Sequence, residues 1–83
     1  MKTTRRRNNL DVQADILRVT LARGGALKTQ VVYGANLNFR IVKGYLERLM
    51  GSGMLRHDGR HYYATEKGVT YLTSFESLVN MGD

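Results

Sequence analysis

Asp58 and Gly59 sit in the middle of the stretch MLRHDGRHYYA (residues 54–64), with strand-forming residues on either side. An Asp-Gly pair tolerates positive φ at successive positions and so favours the tight turn of a β-hairpin. A two-residue loop there pairs His57 with Arg60, Arg56 with His61 and Leu55 with Tyr62. Leu55 and Tyr62 then share a face and tie the hairpin to a core, while the polar, cationic segment from Arg56 to His61 projects. Any fold for this chain must carry that hairpin, and both of its flanks read as helix.

Upstream, Asn8 or Asn9 can cap a helix over about 10–23, with Asp11 in the first turn, where the helix dipole favours a negative charge. Ile16, Leu17, Val19 and Leu21 form its apolar side, and Gly24-Gly25 ends it. A second helix of about two turns runs from near Leu27 to Tyr33 and stops at Gly34; Ala26 offers it no cap. Asn38 opens the third, with Leu37 at N′ and Val42 at N4, the spacing of a hydrophobic staple. This helix reaches about Met50 and ends at Gly51-Ser52-Gly53. At about 100° per residue, Phe39, Val42, Tyr45, Leu46, Leu49 and Met50 fall on one side. Arg40, Ile41, Gly44, Glu47 and Arg48 fall on the other. Gly44 is therefore an outward-facing glycine inside a helix, where glycine costs about 1 kcal/mol relative to alanine.

Beyond the hairpin, Thr65 and Glu66 begin a last helix that continues to about Asn80. Its apolar arc (Val69, Tyr71, Leu72, Phe75, Leu78, Val79) spans roughly half the wheel, wider than the ~100° stripe that one docked face requires. Tyr71, Phe75 and Leu78 follow a coiled-coil-like 4-3 spacing and form a candidate homodimer surface.

Eighty-three residues, 42% of them apolar, make one small globular domain. A net charge of +6 points to a polyanionic partner. Its distribution is more informative: residues 1–67 hold all thirteen cations and five acids, while residues 68–83 carry −2. Without cysteine there are no disulfides, thiolate metal sites or cysteine nucleophiles. The apolar runs fall far short of the roughly 20 residues needed to cross a bilayer. The N-terminus lacks the apolar segment of a secretory signal, so the expected location is the cytoplasm, associated with the nucleoid. No P-loop, GxGxxG, carboxylate pair or Ser/His/Asp set stands out, so no enzyme activity, cofactor or small-molecule ligand is expected. His57 and His61 lack the further ligands a metal would need and are expected as exposed hairpin residues.

The order helix, helix, helix, hairpin, helix is that of a winged helix-turn-helix, a mainly α (α+β) fold. In this layout the third helix enters the major groove of double-stranded DNA and the hairpin, or wing, reaches backbone or minor groove. Residues 1–8 form a flexible basic arm, and residues 9–83 the domain, with a dimerisation helix at about 65–80. Arg40, near the start of the third helix, suits a bidentate contact to guanine, Asn38 could read adenine, and Ile41 could touch a thymine methyl. Gly44, between Arg40 and Arg48, would let the helix backbone sit close to DNA. Lys28, Thr29, Lys43 and Arg48 suit phosphates. On the wing, Arg56 and Arg60, with His61 beside them, suit phosphates or the minor groove, and Arg5, Arg6 and Arg7 of the arm could enter a minor groove. No exposed aromatic platform of the kind that stacks RNA bases is expected.

KTQVVYGANLNFRIVKGYLERLM (28–50), followed by the hairpin and HYYATEKGVTYL (61–72), resembles a family of archaeal winged-helix DNA-binding proteins typified by the ten-kilodalton Sulfolobus DNA-binding protein. The similarity covers about residues 10–79. It implies a dimeric binder of double-stranded DNA, either a transcriptional regulator or a nucleoid protein. The family's long C-terminal coiled coil has no counterpart in the sequence up to Asp83, so its dimer geometry does not carry over.

Overall fold

Asn8 starts the first helix. Its Oδ1 accepts from the Asp11 amide at 2.9 Å and its own amide donates to Asp11 Oδ2 at 3.0 Å, a reciprocal capping box. In the computed structural model, which describes residues 7–81, α1 spans Asn9–Arg23. Gly24, at φ +64°, ends it by returning amide bonds to the last turn. Helix α1 runs through the middle of the molecule, packed against the second and fourth helices and the sheet. Val12, Ile16 and Leu17 are buried, whereas Leu21, expected on the apolar side, is 47% exposed. The position facing inward in that turn is Thr20, whose hydroxyl donates to the Leu17 carbonyl at 2.9 Å and so enters the core without an unmet hydrogen bond.

Ala26–Leu27 form a two-residue strand, β1, which the sequence pattern does not reveal. It leads directly into α2 (Lys28–Gly34). Leu27 has no side-chain acceptor, but Gln30 reaches back so that its Oε1 accepts from the Leu27 amide at 2.9 Å. Half a capping box therefore opens a helix whose start looked uncapped. After a turn with Asn36 at φ +55°, α3 (Phe39–Gly51) begins as expected, with Asn38 Oδ1 accepting from the Ile41 amide at 3.0 Å.

The hairpin is present, in a different register. Strand β2 (Leu55–Asp58) pairs antiparallel with β3 (His61–Ala64), and the partners are Asp58 with His61, His57 with Tyr62, Arg56 with Tyr63 and Leu55 with Ala64. The loop is Gly59-Arg60 rather than Asp58-Gly59. Gly59, at φ +64°, takes the first central position, where a type II′ turn needs glycine. Each β2 residue thus meets a partner two places further along β3 than expected. A shift by an even number preserves the faces, so Leu55 and Tyr62 still lie on the core side. Strand β3 is central, with β1 on its other edge through Ala26 to Tyr62 and Leu27 to His61.

Helix α4 (Glu66–Met81) is anchored by Thr65, whose hydroxyl donates to the Gly53 carbonyl at 2.6 Å and accepts from the Gly68 amide at 3.1 Å. Four helices and a three-stranded antiparallel sheet thus make a mainly helical winged-helix architecture. Val31, Val42, Leu46, Leu49, Leu55 and Leu72 join the α1 side chains in a single core.

Candidate nucleic-acid interface

Val42, Leu46 and Leu49 bury one side of α3 and thereby fix the opposite side outward. Arg40 and Gly44 lie near the middle of the outer face, with Lys43 and Arg48 towards its two edges. No atom outside the helix backbone comes within 4 Å of a Cβ built on Gly44, so the fold itself does not demand a glycine there. The Arg48 guanidinium lies 5.6 Å from the Tyr45 ring centroid, and the Tyr45 hydroxyl donates to Asn9 Oδ1 at 2.6 Å. That edge is consequently braced against α1. Ile41 is 42% exposed and lies beyond Arg48, off the middle of the face. Asn38 turns its Oδ1 back onto the helix as the cap, and a bidentate grip on adenine would take that oxygen away.

The other edge of α3 meets α2 and the wing. Lys28, Lys43, Glu47 and Tyr62 line a cleft of about 160 Å³, closed at its base by Leu46 and Met50. Lys28 and Thr29, at the start of α2, line a second hollow with Leu27 and Arg60, so the wing tip is brought to the N-terminus of α2. Glu47 shares the cationic cleft; an acceptor near base edges can take the cytosine amino group, a role the sequence reading did not give it.

The wing divides its residues between two faces. His57 stacks on Tyr62 on the core side, with ring centroids 4.1 Å apart. Arg56 lies 4.4 Å over the Tyr63 ring, 3.9 Å from Asp58, on the opposite side, where His61 also points. Arg60 is therefore the wing cation placed at the start of α2, whereas Arg56 and His61 lie on the opposite face of the wing from Tyr62. Among the described residues, no group of three or more His, Cys, Asp or Glu side chains is placed to hold a metal ion.

The expected arm needs correction. Arg5 and Arg6 lie outside the described residues, but Arg7 and Asn8 belong to the fold. Arg7 donates to Asp15 Oδ2 at 2.9 Å, to the Ala35 carbonyl at 2.7 Å and to the Asn36 carbonyl at 2.8 Å. It ties α1 to the turn between α2 and α3 and is not free to enter a groove.

Arg18 is paired in the same way, bridging Asp15 at 2.7 Å and Glu76 at 2.8 Å and joining α1 to α4. Among the described residues, by contrast, no carboxylate lies within 4.0 Å of Lys28, Arg40, Lys43, Arg48 or Arg60. The open cations therefore gather on the α2–α3–wing side, where these five stand, while Arg7 and Arg18 on the α1–α4 side are paired; Arg23 at the end of α1 and Lys67 at the start of α4 are the other described cations without a carboxylate within 4.0 Å. On α4, Tyr71 and Phe75 pack partly on the core, and the Tyr71 hydroxyl donates to the Leu10 carbonyl at 3.2 Å. Burial, helped by the Asp11 carboxylate, raises the Tyr71 phenol above its ordinary pKa. Leu78 is 68% exposed and continues the same edge of α4 into solvent.

Tyr33 and Phe39 correct another expectation. They are 77% and 49% exposed and meet edge to face, with centroids 6.3 Å apart and planes at 86°, so the surface does carry an aromatic pair. Angle alone put Phe39 on the core side, but a helical wheel has no axial coordinate. At the first position of α3, Phe39 projects past the end of the core.

A winged helix-turn-helix family model matches residues 6–82. The crystal structure of Sso10a-2, a DNA-binding protein from Sulfolobus solfataricus, superposes with a TM-score of 0.77 at 29% identity, covering 90% of this chain and 81% of that one. MJ0287, an uncharacterized protein of Methanocaldococcus jannaschii, is 27% identical over 73 residues, 88% of this chain and 74% of its own. With helix order, hairpin and family match in agreement, the chain belongs to the winged helix-turn-helix family.

Proposed function

We propose that this chain binds double-stranded DNA as a dimeric transcriptional regulator, with α3 in the major groove and the wing tip on the flanking backbone or minor groove. The observation that carries the reading is the set of open cations. Lys28, Arg40, Lys43, Arg48 and Arg60 come from three elements, share one side and lack carboxylate partners among the described residues. Unneutralised cations clustered on one face are the electrostatic footprint of a phosphate-binding surface. The likeness to a DNA-binding protein of Sulfolobus supports the same partner. Arg40 takes the base-reading role, Gly44 allows close approach of the backbone, and Lys28, Thr29, Lys43, Arg48 and Arg60 take phosphates. Arg5 and Arg6 remain candidates for a minor groove. Dimerisation uses the exposed edge of α4 around Leu78.

An unbiased selection from genomic DNA followed by footprinting tests this reading. The expected result is enrichment of a defined site, with affinity falling steeply between about 50 and 200 mM salt, as counterion release requires. Salt-sensitive binding without any enriched site would replace the regulator by a nucleoid-type protein of weak sequence preference. Failure to bind any duplex at low salt would leave a protein-interaction module.

A further inference from the structure

Tyr33 and Phe39 are aromatic side chains that the core does not use. Neither joins the buried cluster, and the hydrophobic staple of α3 is made by Leu37, packed on the core, and the buried Val42. Phe39 nevertheless stands immediately before Arg40 on the first turn of α3. Tyr33, one turn after Thr29 on the outer side of α2, abuts it edge to face and limits the directions the Phe39 ring can take. The pair is therefore an ordered apolar spot bordered by the open cations Arg40 and Lys43, not an isolated greasy residue. A partner that covers it must present anionic charge and an apolar group within a few ångströms of each other. In the major groove of DNA, phosphates and the 5-methyl group of thymine meet that description, and phenylalanine is among the side chains able to contact that methyl.

We infer that Phe39, braced by Tyr33, contacts the 5-methyl group of thymine in the base step beside the one addressed by Arg40. This inference rests on the proposed insertion of α3 in the major groove. It adds a preference that hydrogen bonding cannot supply, because thymine and uracil differ only by that methyl.

Two pools of random duplexes, copied with dTTP or with dUTP, isolate the effect with the full chain. Charge and Watson–Crick pairing are then identical. The wild-type protein is expected to bind the thymine pool about fourfold more tightly, the value of burying one methyl-sized group. Phe39→Ala should bring that ratio to about one and Tyr33→Ala should reduce it. Arg40→Ala, which leaves the aromatic pair in place, should keep the ratio. Thermal unfolding of the two aromatic variants reports whether they remain folded, which their exposure predicts. A wild-type ratio of one, with both pools bound, overturns the inference and leaves the groove reading standing. A ratio that survives Phe39→Ala also overturns it, since the methyl would then be met by another side chain such as Ile41 or act through DNA shape, and the aromatic pair would serve another partner. Binding to neither pool would refute the DNA reading itself.

Discussion

Gly68 passes so close to Met54 that a Cβ at position 68 would run into the Met54 carbonyl oxygen, with Leu17 Cδ2 a further 3.1 Å neighbour. That carbonyl also accepts from the Thr65 amide at 3.0 Å, so it cannot swing aside without loosening the start of α4. Gly68→Ala is therefore expected to destabilise the fold by about 1–3 kcal/mol, the usual range for overpacking. Urea unfolding measures this, and a stability equal to wild type would show that α4 can shift on the sheet at no cost.

The same change has the opposite sign at Gly44, where a side chain meets open space. Gly44→Gln should stabilise α3 by about 0.5–1 kcal/mol, because glycine gives up more backbone freedom than a good helix former. If the glycine is there to let DNA approach, affinity falls at least tenfold while stability rises. Unchanged affinity in the stabler variant would make Gly44 an ordinary exposed glycine.

Comparison of Gly44 with Gly68 shows what one-dimensional reading captures. Helix order, the Asn38 cap, the outward face of α3 and the existence of the hairpin follow from local rules of period, cap and turn, and all are visible in the sequence. The closeness of Gly68 to Met54 depends on two segments meeting, and no local pattern encodes it. The same holds for β1, which exists because Ala26 finds Tyr62. Arg7 read as part of an arm because its acceptors, the Ala35 and Asn36 carbonyls, lie 28 and 29 residues away. The hairpin register failed more narrowly. Asp-Gly fits two turn types, with Gly59 at positive φ in either; what separates them is Asp58, which a type I′ turn at Asp58-Gly59 would put at positive φ and which here stays in the strand. For the interface, sequence position found the cations, but only the tertiary structure separates the open ones from Arg7 and Arg18.

Tyr71 supplies a pH dependence. Burial first, and Asp11 second, raise its phenol above the ordinary value of 10.0. The folded state therefore holds this proton at a pH where the unfolded chain releases it. The resulting stability is fully present below the unfolded pKa and is lost as pH rises through the higher folded value. Tyr71→Phe should flatten the fall of unfolding free energy above about pH 10. The slope, not the level, is the relevant readout, since the variant also loses the bond to the Leu10 carbonyl. An equally steep fall in the variant would assign the alkaline loss to other groups.

Leu78 is the suitable probe of the proposed dimer, because Tyr71 and Phe75 also pack on the core and their removal would confound folding with association. At 68% exposure, Leu78→Asp should leave the monomer fold intact, while an apolar seam cannot bury the new carboxylate without a partner. Sedimentation equilibrium is expected to show a dimer for the wild type and a monomer for the variant, with unchanged helical circular dichroism. A persistent dimer would place the interface elsewhere.

Arg40 and Arg60 separate reading from holding. Arg40 lies near the middle of the outer face of α3, whereas Arg60, at the wing tip, shares its hollow with Lys28 and Thr29. If Arg40 grips a guanine, Arg40→Ala should cost about 1–3 kcal/mol on the selected site, relax preference at one base pair and spare random DNA. Arg60→Ala should weaken selected and random duplexes alike and lower the slope of log affinity against log salt by about 1, the share of a single phosphate contact. Binding isotherms on both duplexes across a salt series measure the two effects together. A uniform loss for Arg40→Ala, matching that of Arg60→Ala, would make Arg40 another phosphate ligand and move the search for base contacts to Phe39 beside it and Glu47 two turns further along α3.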